Sequence, residues 1–292
     1  MPRWSAPFAL LFLSLAALPA AGQQSDGQSL DRSLEGERVA HDVEAGDYTL
    51  RFLEDPEIGF VDRLQILDGE TVAYDGFFEA FVHMVEAPPG SEFSVLPLGL
   101  DVDVTGDGRP DFVLQSYSGG AHCCFYTSIF ERHPALYLVA EFDGAHAPVE
   151  LVDLDGDPAR EVRLYDWTFA YWKASFAESP APEVVLDWQE GSYAGSAALM
   201  RKPPPGAREL RQAAEAARAE MLERQQATPR LWGPMLDYIY AGQASAAFAL
   251  LEQAWPPDLP GRDAFLLQFG AKLSFSPYWE TLAELNGWAA DN

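Results

Sequence analysis

The sequence predicts an α+β protein in which an all-β N-terminal domain precedes a C-terminal α-helical bundle. Short apolar runs broken by glycine, aspartate and proline fill residues 39–200, and three consecutive prolines at 203–205 interrupt this pattern. Helical periodicity begins at residue 207. Hydrophobic residues make up 48% of the 292 residues, which excludes general disorder, and the length suggests about two domains.

Residues 1–22 have the features of a secretory signal peptide. Arg3 precedes an apolar run from Phe8 to Leu18, and small residues follow it. The run is shorter than the roughly 20 apolar residues of a membrane-spanning helix, and no later segment is long and apolar enough to span a membrane. We therefore expect a protein that is periplasmic or secreted, with residues 23–38 as a mobile arm.

Strand and turn signals predict the β domain over residues 39–200. Residues 48–52 alternate between apolar and polar side chains, as a half-buried strand does. The Asp68-Gly69 pair between two apolar runs predicts a hairpin, because glycine and aspartate tolerate the positive φ angles of a tight turn. Further turns of this kind are predicted at Asp143-Gly144 and Glu190-Gly191.

Residues 201–206 are predicted to form a proline linker, because consecutive prolines are extended and cannot continue a strand ladder. Beyond it, residues 207–292 are predicted to form a helical domain with no visible chemistry. Its apolar residues repeat at the spacing of one helix face. The four predicted helices cover 207–226, 232–239, 244–255 and 262–273.

The charge of the chain favours cations as ligands. The formal net charge is −26, from 45 acidic and 19 basic residues. Affinity for phosphates comes mainly from lysine and arginine, so this balance argues against nucleic acid as a partner and equally against anionic membrane surfaces.

Two segments place acidic residues at the spacing of a cation-binding loop. When the first residue of each is counted as position one, oxygen-bearing side chains occupy positions one, three, five and nine. Calcium takes 6–8 oxygen ligands, and a backbone carbonyl at position seven can add another. The alternative for a single match is an acidic, solvated turn. Two matches, each followed by an apolar run and a predicted hairpin, indicate an internal repeat instead.

The first segment reads Asp103-Val-Thr-Gly-Asp-Gly-Arg-Pro-Asp-Phe-Val-Leu114 and resembles the calcium loop of FG-GAP/VCBS-type repeats. Such repeats form integrin α-chain propellers and occur in many exported bacterial proteins. The resemblance covers roughly residues 100–190. It implies that calcium is bound by Asp103, Thr105, Asp107, the carbonyl of Arg109 and Asp111, and in the second loop by Asp153, Asp155, Asp157, the carbonyl of Ala159 and Glu161.

The second loop departs from the family pattern. Pro158 replaces the glycine of position six, and Glu161 replaces aspartate, so the first loop is expected to be the better site. The Phe-Gly and Gly-Ala-Pro elements that name the family are absent, and the β region is too short for a full propeller of such repeats. We therefore expect two calcium-loop hairpins on a partial propeller-like or sandwich domain.

Both cysteines, Cys123 and Cys124, are adjacent in the chain. In an oxidising compartment a vicinal disulfide is one interpretation. The alternatives are two unpaired thiols, an intermolecular bridge, or a metal site that includes His122.

The sequence favours binding over catalysis. It contains no Gly-x-Ser-x-Gly, His-Glu-x-x-His or Gly-Lys-Ser/Thr motif. We expect a non-catalytic calcium-binding module with a protein or polysaccharide partner. The alternative is a hydrolase that acts on envelope or extracellular polymers, with carboxylates of the β domain as acid and base.

Overall fold

The computed structural model describes residues 36–57, 60–82, 96–117 and 124–288. The strands of this part form three open, antiparallel sheets of four strands each, and helices follow them. The coarse α+β prediction is therefore confirmed. The predicted signal peptide and residues 23–35 of the predicted arm lie outside the described residues. Within the described part, no helix combines the length and the apolar character needed to cross a membrane.

The strands of each sheet are neighbours in sequence, so each sheet is a meander. The first sheet contains β1 (Arg38–Ala45), β2 (Tyr48–Asp55), β3 (Phe60–Asp68) and β4 (Thr71–Val82). The second contains β5 (Leu96–Val102), β6 (Asp111–Tyr117), β7 (Phe125–Glu131) and β8 (Tyr137–Ala145). The third contains β9 (Glu150–Val152), β10 (Glu161–Tyr165), β11 (Glu183–Gln189) and β12 (Ser192–Gly195).

Two of the three predicted turns are confirmed. Asp68-Gly69 lies in the β3–β4 turn, where Gly69 has a φ of +59°. Glu190-Gly191 joins β11 to β12, and both residues have positive φ angles, as a tight hairpin turn requires.

The predicted turn at Asp143-Gly144 is wrong, because both residues lie inside β8. The pairing register with β7 shifts between Ala145 and Asp143, so Gly144 is the extra residue of a bulge. A β-carbon on Gly144 would lie 2.3 Å from the carbonyl oxygen of Ala147. The glycine therefore permits a close backbone approach and does not form a hairpin turn.

The second sheet is the middle layer, since strand β6 is buried on both faces. Phe112 and Leu114 pack into one hydrophobic cluster with side chains of β2 and β3. Val113, on the opposite face, packs into another cluster with Val162 and Leu164 of the third sheet. Alternating side chains of one strand thus contribute to two cores.

Six helices follow the sheets in the described part of the chain. Four of them correspond to the predicted helices, whereas the short first helix and the last were not predicted. They are α1 (Ala197–Met200), α2 (Ala207–Arg224), α3 (Pro229–Tyr240), α4 (Ala244–Ala254), α5 (Arg262–Leu273) and α6 (Trp279–Asn286).

The segment 201–206 does not separate two hydrophobic cores. One cluster of buried side chains extends from the second and third sheets through all the longer helices, and the chain from Arg38 onward forms one compact unit. The segment is also held by the helices, since the N–H of Lys202 donates to the carbonyl of Ala241 at 3.1 Å. Whether proteases cut first at this segment stays a prediction.

A buried carboxylate joins the third sheet to the helices. Asp166 follows β10 and is 3% exposed. Its carboxylate accepts hydrogen bonds from the hydroxyls of Tyr240 and Ser276, which are also buried. Burial and this carboxylate raise the pKa of Tyr240, which keeps its hydroxyl a donor.

Candidate metal centre

The two predicted loops occupy equivalent positions in successive sheets. The first loop (residues 103–111) joins β5 to β6, and the second loop (residues 153–161) joins β9 to β10. In each, the acid at position nine is the first residue of a strand, and it is fully buried. The apolar runs after the loops therefore form buried strands, as the sequence predicts.

Hydrogen bonds from the backbone curl the first loop around its acids. Asp103 accepts from the N–H of Gly106 at 2.7 Å and from the N–H of Gly108 at 2.8 Å. Asp107 accepts from the N–H of Arg109 at 2.8 Å. Gly106 and Gly108 have φ angles of +75° and +82°, which side-chain-bearing residues rarely adopt.

Two oxygens in the first loop are buried without a hydrogen-bond partner. One carboxylate oxygen of Asp111, Oδ2, accepts from the N–H groups of Val104 and Thr105 at 2.9 and 3.2 Å. The other, Oδ1, has no partner, and neither does the hydroxyl of Thr105. A native fold rarely leaves buried polar atoms unsatisfied, so these two oxygens are candidate ligand atoms.

The pKa of Asp111 is raised above its ordinary value, chiefly because burial disfavours the charged carboxylate. The charges of Asp103 and Asp107 raise this pKa further, while the hydrogen bonds from the backbone oppose the shift. The carboxylates of the loop therefore repel one another, and a bound cation would relieve that repulsion.

The acids of the second loop converge more closely. Ligand atoms of Asp153, Asp155 and Glu161 all lie within 4.8 Å of one another. Among the residues that the structure describes, no other three acidic, histidine or cysteine side chains meet this criterion. The greater convergence of the second loop was not expected, because Pro158 and Glu161 depart from the pattern of the first.

Glu161 reproduces the arrangement of Asp111. Its Oε2 accepts from the N–H of Leu154, while its Oε1 is buried without a hydrogen-bond partner. Burial raises the pKa of Glu161, and the charges of Asp155 and Asp157 raise it further. The longer glutamate thus places a carboxylate where the first loop has an aspartate.

Other predicted ligands of the second loop have different partners. Asp157 is not in the converging group, and it accepts from the N–H of Ala159 at 2.8 Å. Asp153 accepts from the N–H of Gly156, and it also pairs with the guanidinium of Arg160 at 3.3 Å. A cation in this loop would compete with Arg160 for Asp153.

A buried arginine that the sequence analysis did not identify supports the first loop. Arg132 is 7% exposed, and its Nε donates to the carbonyl of Pro110 at 2.6 Å. It also pairs with Asp101 at 3.2 Å, and its guanidinium lies over the ring of Phe112. Arg132 thus connects both ends of the loop. No local sequence pattern indicates this contact, because Arg132 lies beyond β7.

The two loops are in direct contact, which the sequence analysis also missed. The N–H of Arg160 donates to the carbonyl of Val104 at 3.0 Å. The hydroxyl of Tyr193 donates to the same carbonyl at 3.4 Å. Burial raises the pKa of Tyr193, and the negative charges of Asp111 and Glu161 raise it further. The Tyr193 hydroxyl therefore interacts electrostatically with the buried carboxylates of both loops.

One signal for this contact was present in the sequence. Both loops have glycine at position four, Gly106 and Gly156, and both have positive φ angles. Only Gly106 faces the other loop, since a β-carbon there would lie 2.7 Å from the backbone nitrogen of Ala159.

The other predicted site was the Cys123–Cys124 pair. Cys123 and His122 lie outside the described residues, so the pairing stays a prediction.

No family model, curated protein or solved structure matches the chain, and its function is therefore inferred from the geometry of the loops.

Proposed function

We propose that the chain is an exported calcium-binding β-repeat protein, in which each of the two loops holds one Ca²⁺. The observation that carries the proposal is the convergence of Asp153, Asp155 and Glu161 to within 4.8 Å of one another. The unpartnered, buried oxygens of Glu161 and Asp111 support it, because each is a ligand atom that the protein itself leaves unsatisfied.

The chemistry of the donors favours a hard cation. The side chains concerned are carboxylates and the hydroxyl of Thr105, and neither loop contains histidine or cysteine. Oxygen donors suit calcium, magnesium and manganese rather than zinc or copper. Calcium accepts irregular sets of 6–8 oxygens, whereas magnesium needs a near-ideal octahedron. The resemblance of the first loop to FG-GAP/VCBS-type repeats also supports calcium.

We propose further that the protein is a binding module rather than an enzyme, with a protein or polysaccharide partner. The support for export is the signal-like sequence of residues 1–22. In this setting calcium would hold in place the connections between neighbouring strands of two sheets. Extracellular calcium modules typically bind with a Kd of about 10⁻⁴–10⁻³ M, so millimolar calcium would bind the loops and trace calcium would not.

Titration of the metal-free protein with calcium in a calorimeter tests the proposal. We expect two bound ions per chain and clearly weaker binding of magnesium. Asp155→Asn is expected to remove the second-loop site, because it takes away one of three converging carboxylates. Asp47→Asn, at an exposed acid of the β1–β2 turn, makes the same change in charge outside both loop segments and serves as the control.

Absence of saturable calcium binding by the metal-free protein would contradict the proposal. So would binding that Asp47→Asn weakens as much as Asp155→Asn does, because such binding would reflect only the overall negative charge of the chain.

A further inference from the structure

One residue, Val104, links the buried carboxylate of the first loop to the backbone of the second loop. The N–H of Val104 donates to Asp111 at 2.9 Å, and the carbonyl of Val104 accepts from the N–H of Arg160 at 3.0 Å. Arg160 directly precedes Glu161, the buried acid of the second loop. A change in the position of Val104 therefore moves groups that hold the acids of both loops.

A second contact requires glycine. The β-carbon of any larger residue at position 106 would lie 2.7 Å from the nitrogen of Ala159 and 2.9 Å from the carbonyl carbon of Pro158. Real β-carbons do not approach backbone atoms so closely. The backbone of the first loop thus lies directly against positions six and seven of the second.

We propose that the two loops bind their cations with positive cooperativity, because the backbone of each loop forms part of the support of the other. The proposal rests on the function proposed above. A cation in the first loop would fix Asp111 and, through it, Val104 and the Val104–Arg160 hydrogen bond. The second loop would then lose less conformational freedom when its own cation binds.

Repulsion between two bound cations is the opposing effect. The two loops together contain seven acidic side chains, which are Asp103, Asp107, Asp111, Asp153, Asp155, Asp157 and Glu161. These charges exceed the four positive charges of two calcium ions, so the filled pair of loops remains negative. This negative charge strengthens the binding of each ion but does not change the repulsion between the two ions. The proposal therefore requires the ordering effect to exceed that repulsion, and the sign of the measured coupling reports which effect is larger.

Coupling between binding sites is reciprocal, which provides the first test. Asp107→Asn weakens the first loop, and Asp155→Asn weakens the second. In calcium titrations, each change is expected to lower the affinity of the other, unaltered loop by the same factor, about 5–10-fold, at the low end of typical coupling. The wild-type protein is expected to show a cooperative isotherm.

A matched pair of glycine variants separates the contact from the shape of the first loop. Gly106→Ala and Gly108→Ala both place alanine at a positive φ angle, but a β-carbon at 108 has nothing within 4 Å. Both variants are expected to weaken the first loop. Only Gly106→Ala is expected to abolish the coupling, so that Asp155→Asn no longer affects the first loop in that background.

Independent sites would overturn the inference and leave the proposed function standing. This result would be two calcium ions bound by the wild-type protein, with an affinity in each loop that does not change when the other is weakened. Equal loss of coupling in the two glycine variants would also overturn the role of the contact. If Gly106→Ala does not fold, the reciprocity of Asp107→Asn and Asp155→Asn still decides the sign of the coupling. Absence of calcium binding would remove the proposed function and the inference together.

Discussion

Substitution of Asp111 by asparagine is predicted to have opposite effects on stability with and without calcium. In the metal-free protein, Asp111 is a fully buried carboxylate with one unpartnered oxygen, close to Asp103 and Asp107. An uncompensated buried charge costs about 3–5 kcal/mol. Asparagine removes the charge but buries an amide N–H without a partner, at a cost of about 1–3 kcal/mol. The variant is therefore expected to be about 2 kcal/mol more stable than the wild type in chelator.

Calcium reverses this order. Binding to the folded state stabilises the wild type by RT ln(1 + [Ca²⁺]/Kd), about 2.7 kcal/mol for each site at a hundredfold excess over Kd. For a protein of this size, each kcal/mol raises Tm by about 2–4 °C, so one filled site adds about 5–10 °C. Asp111→Asn loses most of the gain from the first loop, because it removes a ligand. In saturating calcium the variant is expected to melt below the wild type.

Thermal melting of both proteins in chelator and in calcium at a hundredfold excess over Kd measures this crossover, with Asp47→Asn as the control for the change in net charge. If Asp111→Asn is the less stable protein by the same amount in both conditions, Asp111 has only a structural role. In that case the reasoning from its buried charge is wrong.

The dependence of metal-free stability on pH is predicted from the same carboxylates. The pKa values of Asp111 and Glu161 are raised in the folded protein, so the folded state binds protons more tightly than the unfolded chain does. The contribution of these two carboxylates to the unfolding free energy is therefore expected to increase as the pH falls through the folded pKa values, and to level off below the unfolded values of 3.8 and 4.5. Asp42, Asp75 and Glu178, whose pKa values are lowered in the folded protein, contribute in the opposite direction. Denaturant titrations of the wild type and of Asp111→Asn in chelator measure this effect, which the variant is expected to lose in part. An identical pH dependence of the two proteins would contradict the assignment to Asp111.

Three further predictions concern the rest of the chain. Asp166→Ala is expected to lower the unfolding free energy by about 3 kcal/mol in denaturant titrations, because the buried hydroxyl of Ser276 loses its acceptor and that of Tyr240 keeps only its longer hydrogen bond to Ser276; an effect no larger than that of exposed Ser175→Ala would contradict this. Limited proteolysis is expected to cut first at 201–206 and leave a resistant β fragment. Because the hydrophobic cluster spans the cut, both fragments are expected to co-elute in gel filtration, and early cuts within 100–165 in calcium would refute this. Intact mass is expected to show Cys123 and Cys124 bridged in a monomer, two hydrogens below the reduced mass, and full alkylation without reductant would refute it.

The helices were the most predictable part of the fold. Helix α5 begins and ends at the residues that its periodicity predicts, Arg262 and Leu273. Such agreement is possible because amphipathic spacing and helix ends are local properties of the sequence. Helix α6 was not predicted. It follows the exposed Phe275 and Pro277, and a segment with such residues is typical of an irregular C-terminal loop.

The positions of the loops were predictable, but their relative strength and their contact were not. The spacing of acids from Asp103 and from Asp153 correctly places each loop before a buried strand. From the sequence, the first loop was expected to be the better site because more of its residues match the pattern of FG-GAP/VCBS-type calcium loops. The structure shows closer convergence in the second, since Glu161 reaches Asp153 and Asp155 from a buried strand. The contact between the loops depends on the packing of two sheets, which no local pattern encodes.

The sequential order of strands in each sheet has a consequence for folding. Every strand pair in the three meanders joins neighbours along the chain, so few long loops must close before pairing begins. β proteins with such local pairing fold faster than those built from distant strands. The middle sheet is different, because β6 contributes side chains to cores on both of its faces. Its hairpins can form early, but its packing is complete only when the third sheet has paired and docked.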